Sequence, residues 1–201
     1  MTFTIPNLLS LLRMGLIPLF VILVMNGSAG KALLLFVVAG VTDALDGFIA
    51  RFWKQQSLLG AYLDPIADKL LLTTAYVVLS IPSLNHGTQI PAWITILVIA
   101  RDVLIVVVAL VLYLAAGIRK FPPSTLSKIN TILQVVAVAL VLVSGVFRDL
   151  RWIELVADTT LYLVAGLTVA SGLYYIYLYS HKAVREELRG IKKGASGDTR
   201  F

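Results

Sequence analysis

The sequence predicts an all-α polytopic membrane protein, a bundle of six transmembrane helices, and three observations carry that prediction. Hydrophobic residues make up 59% of the 201 residues and charged residues only 14%, at a mean hydropathy of +0.90. Soluble domains carry roughly a quarter charged residues. Six apolar stretches follow one another, near residues 8–26, 29–50, 62–81, 92–116, 129–147 and 157–180. Each is long enough for a hydrocarbon core of roughly 30 Å, which takes about 20 helical residues. Basic residues flank these stretches with a strong bias to one side. Backbone polar groups are not left unpaired in hydrocarbon, so the stretches are expected as helices.

Taken in order, the first eight residues, with Pro6 and Asn7, read as a short interfacial segment before the first span, where proline suits a helix start. No basic region precedes the first apolar run and no small-residue cleavage site follows it, so the N-terminus is expected to stay in the mature protein. Residues 81–89 carry turn formers and no formal charge, as an external loop does. Arg101 and Asp102 lie inside the fourth span, and the polar run Ser127-Lys128-Ile129-Asn130-Thr131 opens the fifth. After the sixth, mixed charge from Lys182 to Lys193 fits an amphipathic helix. A single membrane domain is therefore expected over residues 1–193, with a tail over 194–201.

Thirteen of the seventeen Lys and Arg residues fall on the N-terminal side of the spans, and only Lys31, Arg148 and Arg151 fall opposite. The positive-inside rule then places both termini, and the loop joining spans two and three, in the cytoplasm. The net charge of +6 flanks apolar segments instead of forming a soluble basic face, which points to anionic lipid and not to nucleic acid. The absence of cysteine removes disulfides, thiolate ligands and a thiol nucleophile.

Chemistry concentrates in residues 43–68, DALDGFIARFWKQQSLLGAYLDPIAD, which put four carboxylates at the cytoplasmic ends of two consecutive apolar helices. Asp43 and Asp46 are three apart and Asp64 and Asp68 four apart, so each pair shares a helix face. Crowded anions raise one another's pKa unless a cation sits among them. Ligation by oxygen alone points to a hard ion such as Mg²⁺, Mn²⁺ or Ca²⁺, and four carboxylates suffice for two ions. Zinc is disfavoured, because cysteine is absent and His86 and His181 are remote in sequence. Gly47, Ala50 and Gly60 clear space beside the acids, and Arg51 offers a planar fork of donors for phosphate. Together these groups fit a diphosphate. The competing readings are solvated acids with helix-packing glycines, or a cation or proton relay in a six-helix carrier.

The pattern D-x2-D-G-x2-A-R-x8-G-x3-D-x3-D, formed by Asp43, Asp46, Gly47, Ala50, Arg51, Gly60, Asp64 and Asp68, resembles the signature of the CDP-alcohol phosphatidyltransferases at every fixed position. The resemblance implies that family's six-helix, usually homodimeric fold over almost the whole chain, in a bacterial cytoplasmic membrane, with the active site open to cytoplasm and bilayer. It implies two divalent cations, Mg²⁺ or Mn²⁺, held by Asp43, Asp46, Asp64 and Asp68, with Asp68 also the base that deprotonates the acceptor hydroxyl. It places Gly47, Ala50, Arg51 and Gly60, with Asn7 just before the first span, around the CDP headgroup of a CDP-diacylglycerol donor.

The motif does not choose the acceptor. As strings, IPNLLSLLRMGLIP, the motif segment, ARDVLIVVVALVLY and LSKINTILQ are most similar to the cardiolipin synthases of this family, whose acceptor is phosphatidylglycerol. Phosphatidylglycerophosphate synthases generally show Arg-Glu where Arg101-Asp102 stands and Lys where Asn130 stands, and glycerol 3-phosphate remains the alternative acceptor. Arg101, Asp102, Lys128 and Asn130 are the candidate acceptor-binding residues. For Arg101 and Asp102 the competing expectation is pairing with other buried groups. For Lys128 it is snorkelling to lipid headgroups.

Overall fold

In the computed structural model the chain forms six α-helices: α1 (Ile5–Met25), α2 (Ala29–Trp53), α3 (Leu58–Ser80), α4 (Ala92–Ala116), α5 (Thr125–Val146) and α6 (Arg151–Gly197). The structure describes residues 5–53, 58–84, 89–116 and 125–197, with side chains described over 10–42, 66–67, 69–84, 89–111, 113–114 and 125–177. Among the described residues there is no strand.

Within the described side chains, Ala92–Val111, Thr125–Val146 and Arg151–Tyr177 are long and apolar enough to cross a membrane. The corresponding apolar parts of α1, α2 and α3, Ser10–Met25, Ala29–Thr42 and Lys69–Ser80, are shorter. The fold is that of a polytopic membrane protein built from helices alone. Hydropathy marks hydrocarbon thickness and not helix ends, so the helices outrun the apolar stretches. Pro6 and Asn7 lie in the first turn of α1 and do not precede it, α5 begins at Thr125, and α6 continues from the sixth span to Gly197.

Local chemistry explains the breaks between helices. After α1 the amide of Ser28 reaches the Leu23 carbonyl at 3.0 Å and that of Gly27 the Val24 carbonyl at 2.9 Å. This is a Schellman closure, and Gly27 sits in the left-handed region that it demands, at φ 66°. Before α4, the Ile90 amide ties back to the Leu79 carbonyl at 3.0 Å, and the Pro91 carbonyl accepts from Ile94 at 2.9 Å to open the helix. Pro18 removes one ladder hydrogen bond inside α1. Membrane helices tolerate such prolines where neighbouring helices surround the freed carbonyl.

α1 packs on α2 and α3, α5 on α2 and α6, and α4 chiefly on α6. Ala32, Ala39, Ala75, Ala137 and Ala157 are all buried at these seams, which lets the backbones approach closely. Between the alanines sit Phe20, Phe36, Tyr76, Leu79, Ile94, Val138, Leu142 and Leu161, with the rings of Phe20 and Phe36 6.1 Å apart. The outward side of α4 stays uncovered by the bundle, with Val103, Val106, Val107, Leu110, Val111 and Leu114 exposed.

Candidate functional site

Two helices carry the acids. Asp43 and Asp46 fall in the C-terminal half of α2, Asp64 and Asp68 in the N-terminal half of α3. Their side chains, with those of Asn7, Gly47, Ala50, Arg51 and Gly60, lie outside the described residues. What the structure does describe is the layer directly beneath them. A cavity of about 180 Å³ is lined by Arg13 of α1, Phe36, Ala39 and Gly40 of α2, Lys69, Leu71 and Leu72 of α3, and Thr131 and Val135 of α5. Gly40 lies three residues before Asp43 and Lys69 directly after Asp68. The cavity therefore brings the acid-bearing ends of α2 and α3 to one level of the bundle, with open space between the helices there.

That register suits a divalent cation. By sequence α2 carries Asp43 and Asp46 and α3 carries Asp64 and Asp68, each pair about one helical turn apart and next to residues that line the cavity. Asp43, Asp46, Asp64 and Asp68 are the residues that would hold metal, by an all-oxygen set.

Beside the cavity lies a polar cluster across α3, α4, α5 and α6. Arg101 is buried, and its Nε donates to Ser171 Oγ at 3.0 Å and its Nη1 to Asp102 Oδ1 at 2.8 Å. Its Nη2 donates to Ser127 Oγ. The other carboxylate oxygen of Asp102 pairs with Lys69 Nζ. The structure thus brings Arg101 and Asp102 into one network with Ser127, Ser171 and the half-exposed Lys69. An arginine has five N–H donors, so three engaged donors leave one on each terminal nitrogen.

A turn further into the bundle, Asn130 is fully buried and its Oδ1 accepts from Thr168 Oγ1 at 3.2 Å. Gln134, one more turn along α5, is also buried, and its backbone carbonyl accepts from Tyr76 Oη at 3.4 Å. Asn130 Nδ2 and Gln134 Nε2 are buried donors with no hydrogen-bond partner among the described residues. Lys128 does not join this cluster. It is exposed, and two residues from Asn130 it faces nearly the opposite side of α5.

Reasoning from sequence missed Lys69, Thr168, Ser171 and Gln134 as members of the cluster. A signal for the α6 pair does exist: Thr160, Leu161, Val164, Ala165, Thr168, Ser171 and Gly172 recur at helical spacing and are all buried. A stripe of small and hydroxyl residues on an apolar helix marks a packing seam with hydrogen-bonding capacity.

Fold and sequence together define a class: a helical membrane protein with four acids on two consecutive helices, next in sequence to residues that line a cavity. The chain belongs to the CDP-alcohol phosphatidyltransferase family, whose model matches residues 3–170. It is 36% identical over 200 residues to cardiolipin synthase (CMP-forming) of Rattus norvegicus and, equally, of Homo sapiens. These matches cover 90% of this chain and 63% of each relative, so the chain spans less than two thirds of their length. It is also 36% identical over 179 residues to CDP-diacylglycerol–glycerol-3-phosphate 3-phosphatidyltransferase of Escherichia coli, covering 88% of this chain and 94% of that protein.

Proposed function

We propose that this chain is a metal-dependent phosphatidyltransferase that moves the phosphatidyl group of CDP-diacylglycerol to a hydroxyl of phosphatidylglycerol, releasing CMP. The observation that carries the donor chemistry is the complete eight-residue pattern, split between α2 and α3, in a chain of this family. Two divalent cations, Mg²⁺ or Mn²⁺, when bound by Asp43, Asp46, Asp64 and Asp68, would supply charge neutralisation of the diphosphate and acidify the acceptor hydroxyl. Arg51 grips the diphosphate as a bidentate donor, and Gly47, Ala50, Gly60 and Asn7 border the nucleotide. Asp68 takes the proton of the acceptor hydroxyl. The freed oxygen forms a bond to the phosphorus bearing the diacylglycerol as the bond from that phosphorus to CMP breaks, and the electron pair leaves with CMP.

A lipid acceptor is supported by the cavity. Phe36, Ala39, Leu71, Leu72 and Val135 give it apolar walls, and Arg13, Lys69 and Thr131 are its polar members. Such a lining suits an amphiphile better than a soluble sugar phosphate. Arg101 and Lys69 share Asp102, so that trio keeps one net positive charge, and with Arg13 also lining the cavity the setting suits an anionic headgroup. Arg101, Asp102 and Asn130 border the acceptor in this reading, and Lys128, exposed on α5, meets lipid headgroups. The protein works as a membrane homodimer with both termini and the active site on the cytoplasmic side.

Glycerol 3-phosphate is the second reading, favoured by the relative of that activity that this chain spans almost completely. Purified protein given CDP-diacylglycerol and Mg²⁺ or Mn²⁺, with each acceptor offered separately, tests both. Cardiolipin and CMP are expected with phosphatidylglycerol, and neither is expected after chelation of the metal. Product from glycerol 3-phosphate alone overturns the acceptor; no CMP from either overturns the class.

A further inference from the structure

Asp102 reaches in two directions at once. Its Oδ1 accepts from Arg101 Nη1 at 2.8 Å, while its Oδ2 pairs with Lys69 Nζ on α3. Arg101 and Asp102 are neighbours on α4, and adjacent helix positions diverge by about 100°, so consecutive side chains do not naturally meet. Here the guanidinium is turned by Ser171 and Ser127 and the carboxylate follows it. The orientation of Asp102 is thereby set from the buried side. Its remaining oxygen then faces Lys69, whose side chain is 48% exposed against 19% for Asp102.

A half-exposed lysine has a flexible stem and several rotamers, and an isolated ion pair to it is worth little to stability. Lys69, however, lines the cavity and directly follows Asp68 on α3. We propose that Asp102 is a positioning residue: anchored by buried Arg101, it holds the Lys69 ammonium at the cavity, beside the turn that bears Asp64 and Asp68, as the cation that meets the acceptor's phosphate. This rests on the phosphatidyltransferase reading and adds to it which cation addresses the acceptor and what fixes it. A structural clamp between α3 and α4 would use the same contacts, but it would leave substrate affinity alone.

The test is steady-state kinetics in mixed micelles on the full-length protein, with KM for acceptor and for CDP-diacylglycerol measured separately alongside the melting temperature. Asp102→Asn and Lys69→Met are each expected to raise the acceptor KM about tenfold, the scale of one charge-assisted hydrogen bond, with the donor KM unchanged within about twofold. The double variant should be no worse than the poorer single one, because both changes break one device. Asp102→Glu, which keeps the charge, should recover part of the loss. Unchanged acceptor KM with a lowered melting temperature overturns the proposal in favour of the clamp, and so do effects that multiply in the double variant. Should Asp102→Asn fail to fold, Lys69→Met changes only the half-exposed end of the pair, and an unaltered acceptor KM there overturns it equally. Failure of the wild-type protein to release CMP with either acceptor instead refutes the phosphatidyltransferase reading itself.

Discussion

Replacing Gln134 with methionine should make the protein more stable. The residue is 1% exposed, and Nε2 has no acceptor among the described residues. A buried polar group without a partner costs about 1–3 kcal/mol. Methionine keeps the length of the side chain without its polar atoms, and volume-conserving swaps cost below about 1.5 kcal/mol. The hydrogen bond from Tyr76 goes to the backbone carbonyl of residue 134 and survives the change. The net expectation is a gain of about 1 kcal/mol, which for a chain of this size raises the melting temperature by roughly 2–4 °C. Thermal unfolding of the detergent-purified variant beside wild type measures it. A fall of a similar size refutes the reasoning, since it would mean that the amide is satisfied in the membrane-embedded protein, by an internal water or a bound group, and that methionine removes that partner.

Asp68→Asn should reduce turnover by at least about 10²-fold, the scale of a general base, while binding of CDP-diacylglycerol measured by equilibrium titration persists; undiminished turnover would remove Asp68 from the role of base. Gly27→Ala should lower stability by about 1 kcal/mol, because alanine pays for the left-handed φ of 66° that the Schellman closure requires. Its melting temperature reads the effect, and activity per folded molecule should not change.

Much of the fold was legible because hydrocarbon imposes one answer on a long apolar run. Each apolar stretch coincides with a helix, since no other open structure satisfies its backbone there. The ends were less legible for a physical reason: the fifth apolar stretch begins near residue 129, yet polarity in the first turn of a helix is compatible with its geometry, and α5 begins at Thr125. Of the candidate site, the acids, whose side chains lie outside the described residues, stand out in the sequence by their spacing. The network around Arg101 did not, because its partners Ser171, Ser127 and Lys69 are brought close by packing between helices. Spacing within one helix carries no trace of such contacts. Polarity alone makes Asn130 a candidate for the acceptor, and its burial against Thr168 comes from the seam with α6.

The uncovered side of α4 has its own consequence. Val103, Val106, Val107 and Val111 are β-branched, and in a helix such side chains hold a single χ1 rotamer about 90% of the time. Leu110 and Leu114 on the same side surrender rotational freedom when something presses against them, whereas the four valines have almost none left to surrender. Acyl chains meeting the valines find a firm, finely ridged wall, and the ordering cost of that contact falls on the lipid and hardly at all on the protein.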